Sequence, residues 1–310
     1  MDILEHYTAL PNNYLDHVIV IGNFDGIHPG HIALINQASD IAKKNNKKLG
    51  ILTFEPHPRR LFRADDPPFR ITPYMLKAQK LKQAGIDTLF SIPFDWPFAS
   101  QSAESFIDNI LINGLKPAHI IVGYDFCFGQ LRKGKPQNII DAGLNVTVVE
   151  KVESQNGEIY SSSAIRTALR HGDIEQANKL LGWEWEIQGT IVKGDQRGRE
   201  LGYPTANIRL QETLHPAYGV YATRVKIEED GADAPWLMAA TNIGIRPMFE
   251  VPVGQLEAHI LDFDRDIYGK TLRIKPIKKL RGEAKFSDLD ALIAQIDQDC
   301  LETRAILENS

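Results

Sequence analysis

Val18-Ile19-Val20-Ile21-Gly22-Asn23-Phe24-Asp25-Gly26-Ile27-His28-Pro29-Gly30-His31 is the stretch that decides the fold of the first half. Val18 to Ile21 are consecutive apolar β-formers, the pattern of a strand buried on both faces. Ile32, Ile35, Ala38 and Ile41 then recur at helical spacing, and Pro29 suits a first helical turn, where its missing N–H is not needed. Between strand and helix, Gly22, Gly26 and Gly30 let the backbone approach a phosphate chain while the helix N-terminus offers N–H donors. In a parallel sheet such a loop lies at the carboxyl edge, where ligands bind. His28 and His31, three apart, can face one bound group.

His-x-x-His spacing alone favours a plain reading, a pair of surface or capped histidines or half a metal site. No cysteine or third histidine stands nearby in sequence, and the strand, glycine loop and helix around the pair favour a phosphate ligand. Outward from this stretch, strands at Leu49 to Phe54, Thr88 to Ile92, His119 to Val122 and Val146 to Val149 alternate with helices at Tyr74 to Ala84 and Ala103 to Leu115. That alternation predicts an α/β domain with a parallel, Rossmann-like sheet. Helices follow at Ala164 to Leu169 and Ile174 to Leu181, the second capped by Asp173 and stopped by Gly182. From Ile187 the rhythm changes. Ile187 to Val192, Gly219 to Ile227, Trp236 to Ile243, Leu256 to Phe263 and Thr271 to Ile277 are β-like without helices between them. They predict an antiparallel barrel or sandwich, with a terminal helix capped by Ser287 and packing Leu289, Leu292, Ile293, Ile296 and Cys300. The expected domains are 1–183 and 184–310.

Composition narrows the function. The 310 residues carry a formal charge of −5 with 43% hydrophobic and 24% charged residues, which is ordinary for a globular protein and lacks the basic field of a nucleic-acid binder. Anionic substrates would have to be drawn by local groups. No apolar run is long enough for a membrane span, and Met1 to Leu10 does not read as a signal peptide. Cys127 and Cys300 are the only cysteines, which fits a reducing cytoplasm. The expected partners are therefore small molecules, not nucleic acid or membrane; no protein partner can be named.

Three later segments narrow the reading. Phe54-Glu55-Pro56-His57-Pro58 follows the second strand, Gly123 to Gly129 follows His119 to Val122, and Ser161-Ser162-Ser163-Ala164-Ile165-Arg166 opens a helix with hydroxyls and a cation. The first stretch resembles the His-x-Gly-His signature of the nucleotidylyltransferase superfamily. With the three segments in this order it resembles the FMN adenylyltransferase module of prokaryotic bifunctional riboflavin kinase/FAD synthetases.

In the second half, Gly189 to Asn207 contains the donor-rich turn Gly194-Asp195-Gln196-Arg197-Gly198-Arg199 and then Pro204-Thr205-Ala206-Asn207. Thr205 and Asn207, two apart, point the same way in a strand and offer neutral oxygens suited to Mg²⁺. The Leu-Gly-Tyr-Pro-Thr-Ala-Asn run, Asn242 to Pro247, Glu257-Ala258-His259, Asp266 to Gly269 and Leu280 to Glu283 resemble the riboflavin kinase module. The two resemblances span roughly Val18 to Leu307. The chain departs from the family pattern at Ser163, where Thr is usual, at Cys127, where a basic residue is common, at Met248, and at Trp183-Glu184-Trp185 in place of Arg-Pro-Tyr. Cys127 reads as a small buried filler in preference to a redox-sensitive thiol beside the ligand.

The resemblance implies that riboflavin and ATP give FMN and ADP in the C-terminal domain, and that FMN and ATP give FAD and pyrophosphate in the N-terminal one. It implies ATP contacts at Gly22, Asn23, Phe24, Asp25, Gly30, Ser162, Ser163 and Arg166, and flavin contacts at Phe54, Pro56, His57 and Asp125. In the kinase it implies substrate contacts at Gly194, Arg197, Gly198, Arg199, Pro204, Thr205 and Asn207, with Mg²⁺ on Thr205 and Asn207. Glu257 aligns with the family's catalytic glutamate and suits an alcohol that must lose a proton. FMN phosphate, with a second pKa near 6, needs no base. His28 and His31 are therefore read as stabilisers of charge at the transferring phosphorus. Two alternatives stay open on the residues alone: a chain with one working activity, and a flavin carrier without chemistry.

Overall fold

The structure, a computed structural model, describes residues 1–310 apart from 155, 156, 195–197, 199, 200, 247–252 and 310. The chain forms two compact units, Met1–Asp66 with Tyr74–Ser161, and Pro67–Pro73 with Ser162–Ser310.

The first unit is a parallel sheet. Its strands are β1 (Asp2–Leu4), β2 (Val18–Ile21), β3 (Leu49–Glu55), β4 (Thr88–Pro93), β5 (His119–Gly123) and β6 (Val146–Val149), in the order β1-β4-β3-β2-β5-β6. Because side chains alternate along a strand, the sheet feeds two cores. Ile19, Ile21, Leu52, Phe90, Ile120 and Val122 meet Phe106, Ile110 and Leu111 on one face. Val18, Val20, Ile51, Leu89 and Ile121 meet Ile35, Ala38 and Leu81 on the other. Ile35 and Ala38 belong to α1 (Pro29–Lys44); α2 (Pro58–Phe62) and α3 (Tyr74–Gln83) follow along the chain. α4 (Trp96–Ala99) leads to α5 (Ala103–Ser105), which runs into a wider π-type winding over Phe106–Leu115, closed by Lys116 N–H donating to the Leu111 carbonyl at 2.8 Å. α6 (Pro136–Asp141) precedes β6. The strand order reverses between β2 and β5, so the crevice of this sheet opens at their carboxyl ends, beside the Gly22–His31 loop.

In the second unit α7 (Ser162–His171) and α8 (Ile174–Leu181) precede an antiparallel sheet. Its strands are β7 (Ile187–Thr190), β8 (Ala206–Arg209), β9 (Gly219–Ile227), β10 (Leu237–Arg246), β11 (Val253–Ile260) and β12 (Thr271–Arg281), in the order β7-β12-β9-β10-β11-β8. The edge strands approach each other where Val192 N–H donates to the Asn207 carbonyl at 2.9 Å, so the sheet nearly closes into a barrel. A Cβ on Gly189 would stand 2.4 Å from Ile208 Cγ2, which explains why the β7 side of this seam carries a glycine. The terminal helix is α9 (Leu289–Glu308).

Several expectations hold and several are corrected. Asp173 Oδ1 accepts from Gln176 N–H at 3.0 Å, and Gly182 ends α8 at φ 74°, as expected. α9 is capped by Asp288, whose Oδ1 accepts from Ala291 N–H at 2.8 Å, rather than by Ser287, which donates to Asp288 instead. Leu289, expected on the packed face, is exposed. Sequence gave no sign that Pro67–Pro73 packs with the barrel. There Arg70 N–H donates to the Glu212 carbonyl, Leu214 N–H to the Arg70 carbonyl, and Trp185 Nε1 to the Ile71 carbonyl. By compactness α7 and α8 belong to the same unit as the barrel.

Candidate functional site

In the first unit, His28 is the residue before α1, and its carbonyl accepts from His31 N–H at 2.8 Å and Ile32 N–H at 3.1 Å. This turn stacks the two imidazoles, with centroids 3.8 Å apart and planes at 23°. Phe24 flanks His31 at 5.2 Å. A Cβ at Gly30 would stand 3.0 Å from the His28 ring, so glycine there lets the ring keep its place over the helix start without giving way by a few tenths of an ångström. Phe24 and Ile27 hold left-handed backbone, φ 52° and 43°, and both side chains are buried, which anchors the loop. Asp25 is buried, and Gly22 donates its N–H to the Leu52 carbonyl. Gly22, Asn23, Phe24, Asp25, Gly30, His28 and His31 thus belong to one turn at the sheet's switch point, largely buried with Asn23 exposed.

The flavin candidates lie on the same carboxyl edge. Phe54 ends β3 and packs with Phe94 and Phe98 at 5.7 and 5.4 Å. A cis Glu55–Pro56 bond precedes His57, which is buried and whose Nδ1 accepts from Arg59 N–H at 3.1 Å. Asp125 is exposed in the loop after β5. Cys127 is a correction. It is half-exposed rather than buried filler, with Lys135 Nζ 2.9 Å from its sulfur. Burial pushes the thiol up, but hydrogen bonds and charge from Lys135 and Arg132 outweigh it, and the net shift is downward. Ser162, Ser163 and Arg166 belong to the second unit, at the start of α7; Arg166 Nε donates to the Phe69 carbonyl at 2.9 Å and its guanidinium lies over the Phe69 ring.

In the barrel, Asn207 sits in β8 directly opposite Glu257 in β11. Pairing in register puts both side chains on one face. Asn207 is buried; its Nδ2 donates to the Thr205 carbonyl at 3.1 Å and Oγ1 at 3.3 Å. Gln255, two positions before Glu257, donates Nε2 to Asn207 Oδ1 at 2.7 Å and to Glu257 Oε1 at 3.2 Å. Gln255 joins the two candidate residues and was not singled out by motif reading; its i, i+2 relation to Glu257 was the available signal. His259 Nδ1 meets the Pro204 carbonyl at 2.9 Å, steadying the approach to Thr205. A pocket of about 320 Å³ is lined by Gly194, Pro204, Thr205, Asn207, Ala258 and Tyr268, among others. Glu257 is not among its lining residues. Gly198 is described, whereas Arg197 and Arg199 lie outside the described residues.

The FAD synthetase family model matches residues 11–163 and the riboflavin kinase family model residues 181–307. A bifunctional riboflavin kinase/FMN adenylyltransferase of Bacillus subtilis (strain 168) is 36% identical over 302 residues, covering 94% of this chain and 93% of its own. The chain belongs to the bifunctional riboflavin kinase/FMN adenylyltransferase family. The Escherichia coli (strain K12) member is 37% identical over 291 residues, covering 93% of this chain and 91% of its own. A Streptococcus pneumoniae crystal structure described as a macrolide-efflux protein is 32% identical, covers 97% of this chain and 98% of its own, and has a TM-score of 0.82. That likeness in fold includes residues of both units. Among the described residues here no helix is long and apolar enough to cross a membrane.

Proposed function

We propose that the two activities of this family divide between the sites described. Riboflavin phosphorylation uses Thr205, Asn207 and Glu257 in the barrel, and FMN adenylylation uses His28 and His31. The domains 1–183 and 184–310 are the proposed functional division. The observation that carries the reading is the pairing of Glu257 with Asn207 through Gln255, which sets a carboxylate beside a phosphate-type ligand set.

The barrel pocket falls at the lower end of the range for small-molecule sites, ~300–1,000 Å³, and is assigned to ATP, with Gly194, Arg197, Gly198, Arg199 and Pro204 around its phosphates. Thr205 and Asn207 offer oxygens and no carboxylate cage, which suits Mg²⁺, a cation that takes most of its shell from water and phosphate. Bound there, Mg²⁺ would neutralise charge on the transferring phosphates. Glu257 takes the proton of the riboflavin alcohol as it attacks, and Gln255 fixes the carboxylate's rotamer.

At the first site the attacking FMN phosphate already carries charge, so the need is for donors. The His28 and His31 imidazoles and the α1 N-terminus meet it; Ser162, Ser163 and Arg166 are assigned to the triphosphate on the family resemblance. Gly22, Asn23, Phe24, Asp25 and Gly30 shape the nucleotide turn. Phe54, Pro56, His57 and Asp125 are assigned to the flavin. The reading places the protein in the cytoplasm with small-molecule substrates and no nucleic-acid or membrane partner.

The test starts from riboflavin and Mg-ATP and separates products. Glu257→Gln is expected to lower FMN formation ~100-fold or more while sparing FAD formation from supplied FMN. His31→Ala is expected to stop the pathway at FMN, since one lost charge-stabilising donor costs ~3 kcal/mol of barrier. Equal loss of both activities in folded Glu257→Gln would sink the division. Flavin binding with neither product in the parent would favour the carrier reading.

A further inference from the structure

Lys77 is a buried charge that neither proposed reaction uses. Its side chain, on α3, is 1% exposed, a burial that lysine tolerates only when paired. Its Nζ lies 2.6 Å from Glu55 Oε1 and donates to Thr53 Oγ1 at 3.2 Å and to the Asn23 carbonyl at 3.4 Å. The Thr53 hydroxyl in turn donates to the same Asn23 carbonyl at 3.4 Å. One ammonium therefore grips two segments of the ligand edge. Asn23 opens the turn to His28 and His31, and Thr53 and Glu55 end β3 immediately before Pro56 and His57.

The turn needs holding. Phe24, next to Asn23, and Ile27 stay at positive φ, a backbone that persists only where the surroundings over-determine it. The Lys77–Glu55 pair carries no net charge, so its contribution to phosphate attraction is small; what it supplies is a fixed spacing.

We propose that Lys77 is a positioning residue for adenylyl transfer, tying the nucleotide turn at Asn23 to the flavin segment at Glu55–His57. This rests on the assignment of adenylylation to the His28–His31 turn. The competing account is that Lys77 only neutralises Glu55, a structural duty with no bearing on spacing.

Two full-length variants separate them. Lys77→Met keeps an apolar stem and drops the ammonium. FAD formation from supplied FMN is expected to fall ~100-fold in kcat/KM, the effect of ~1 Å of misplacement, with riboflavin phosphorylation within twofold of the parent. Lys77→Met combined with Glu55→Gln also removes the charge of the partly exposed carboxylate that Lys77 neutralised. It is expected to recover the lost thermal midpoint but not the adenylylation rate. If the double variant regains the rate together with the midpoint, Lys77 is only a counter-ion and the proposal falls. It falls also if Lys77→Met adenylylates FMN at the parental rate. His31→Ala keeps the two readings apart. Normal FAD yield there would remove adenylylation from the turn altogether, whereas an inactive His31→Ala beside an active Lys77→Met overturns only the role of Lys77.

Discussion

Adding one methyl group at Gly194 tests the barrel site where it is tightly packed against Asn207. The backbone there is one that alanine adopts without strain, but the new Cβ would stand 2.7 Å from Asn207 Nδ2 and 2.8 Å from its Cγ and Oδ1. Ordinary contact begins at 3.4 Å, so the amide must retreat by about 0.7 Å, enough to matter at a site where ~1 Å costs ~100-fold. Retreat loosens the Gln255 bond to Oδ1 and the bond from Nδ2 to the Thr205 carbonyl. Each is worth ~1 kcal/mol of stability, so the loss of folding free energy should not exceed ~2 kcal/mol. Gly194→Ala is thus expected to lower riboflavin phosphorylation ~100-fold in kcat/KM, to move the thermal midpoint by no more than several degrees, and to leave FMN adenylylation within twofold. A steady-state assay of each reaction on the same preparation, with a melting curve, reads all three. Phosphorylation within threefold of the parent would refute the argument that Asn207 must stay where Gly194 leaves room for it. A collapse of both activities would show that Gly194 serves the chain path instead.

Two further outcomes follow from titratable groups. His17 is buried, with Nδ1 toward the Leu15 carbonyl and Nε2 toward Thr88 Oγ1; the neutral ring with its proton on Nδ1 satisfies both. Burial lowers its pKa from 6.5, aided by Lys48 and opposed by the Leu15 bond, Asp87 and Asp16. The unfolded chain therefore binds the proton more readily, and stability present above 6.5 declines as pH falls below it. Melting the parent and His17→Gln between pH 8 and 5 should give a shallower slope for the variant, though not a flat one, because burial also lowers His119 and His215. An unchanged slope would remove His17 from the effect. Cys127 should be alkylated by iodoacetamide before Cys300, whose thiol burial pushes up to about 11, and Lys135→Ala should slow it; mass spectrometry that finds Cys300 modified first would reverse that order.

How much was legible in the sequence depended on how local the cause was. The β2 strand, its glycine turn and the α1 spacing are set by neighbouring residues, and they formed as expected. The pairing of Asn207 with Glu257 followed from strand register, which no local pattern fixes; the motif gave both residues but not their contact. Lys77 was invisible because Tyr74–Gln83 carries Lys77, Lys80 and Lys82, and only tertiary packing decides which of them faces inward. The α9 cap went to Asp288 rather than Ser287 because adjacent side-chain oxygens have nearly equal capping propensity. β1, whose partners are Thr88 to Phe90, is too short to show a period.

The segment Pro67–Pro73 has a consequence for anyone who would divide the gene. A cut at residue 183 gives a barrel fragment without the backbone that crosses Thr213 and without the carbonyl that receives the Trp185 indole. Trp185, fully buried in the whole chain, would start life in that fragment with part of its cover missing. The two halves are interleaved along the polypeptide, and a fragment's lower rate or midpoint must be compared with that deficit first. A permuted gene that carries residues 67–73 with the barrel is the fairer dissection.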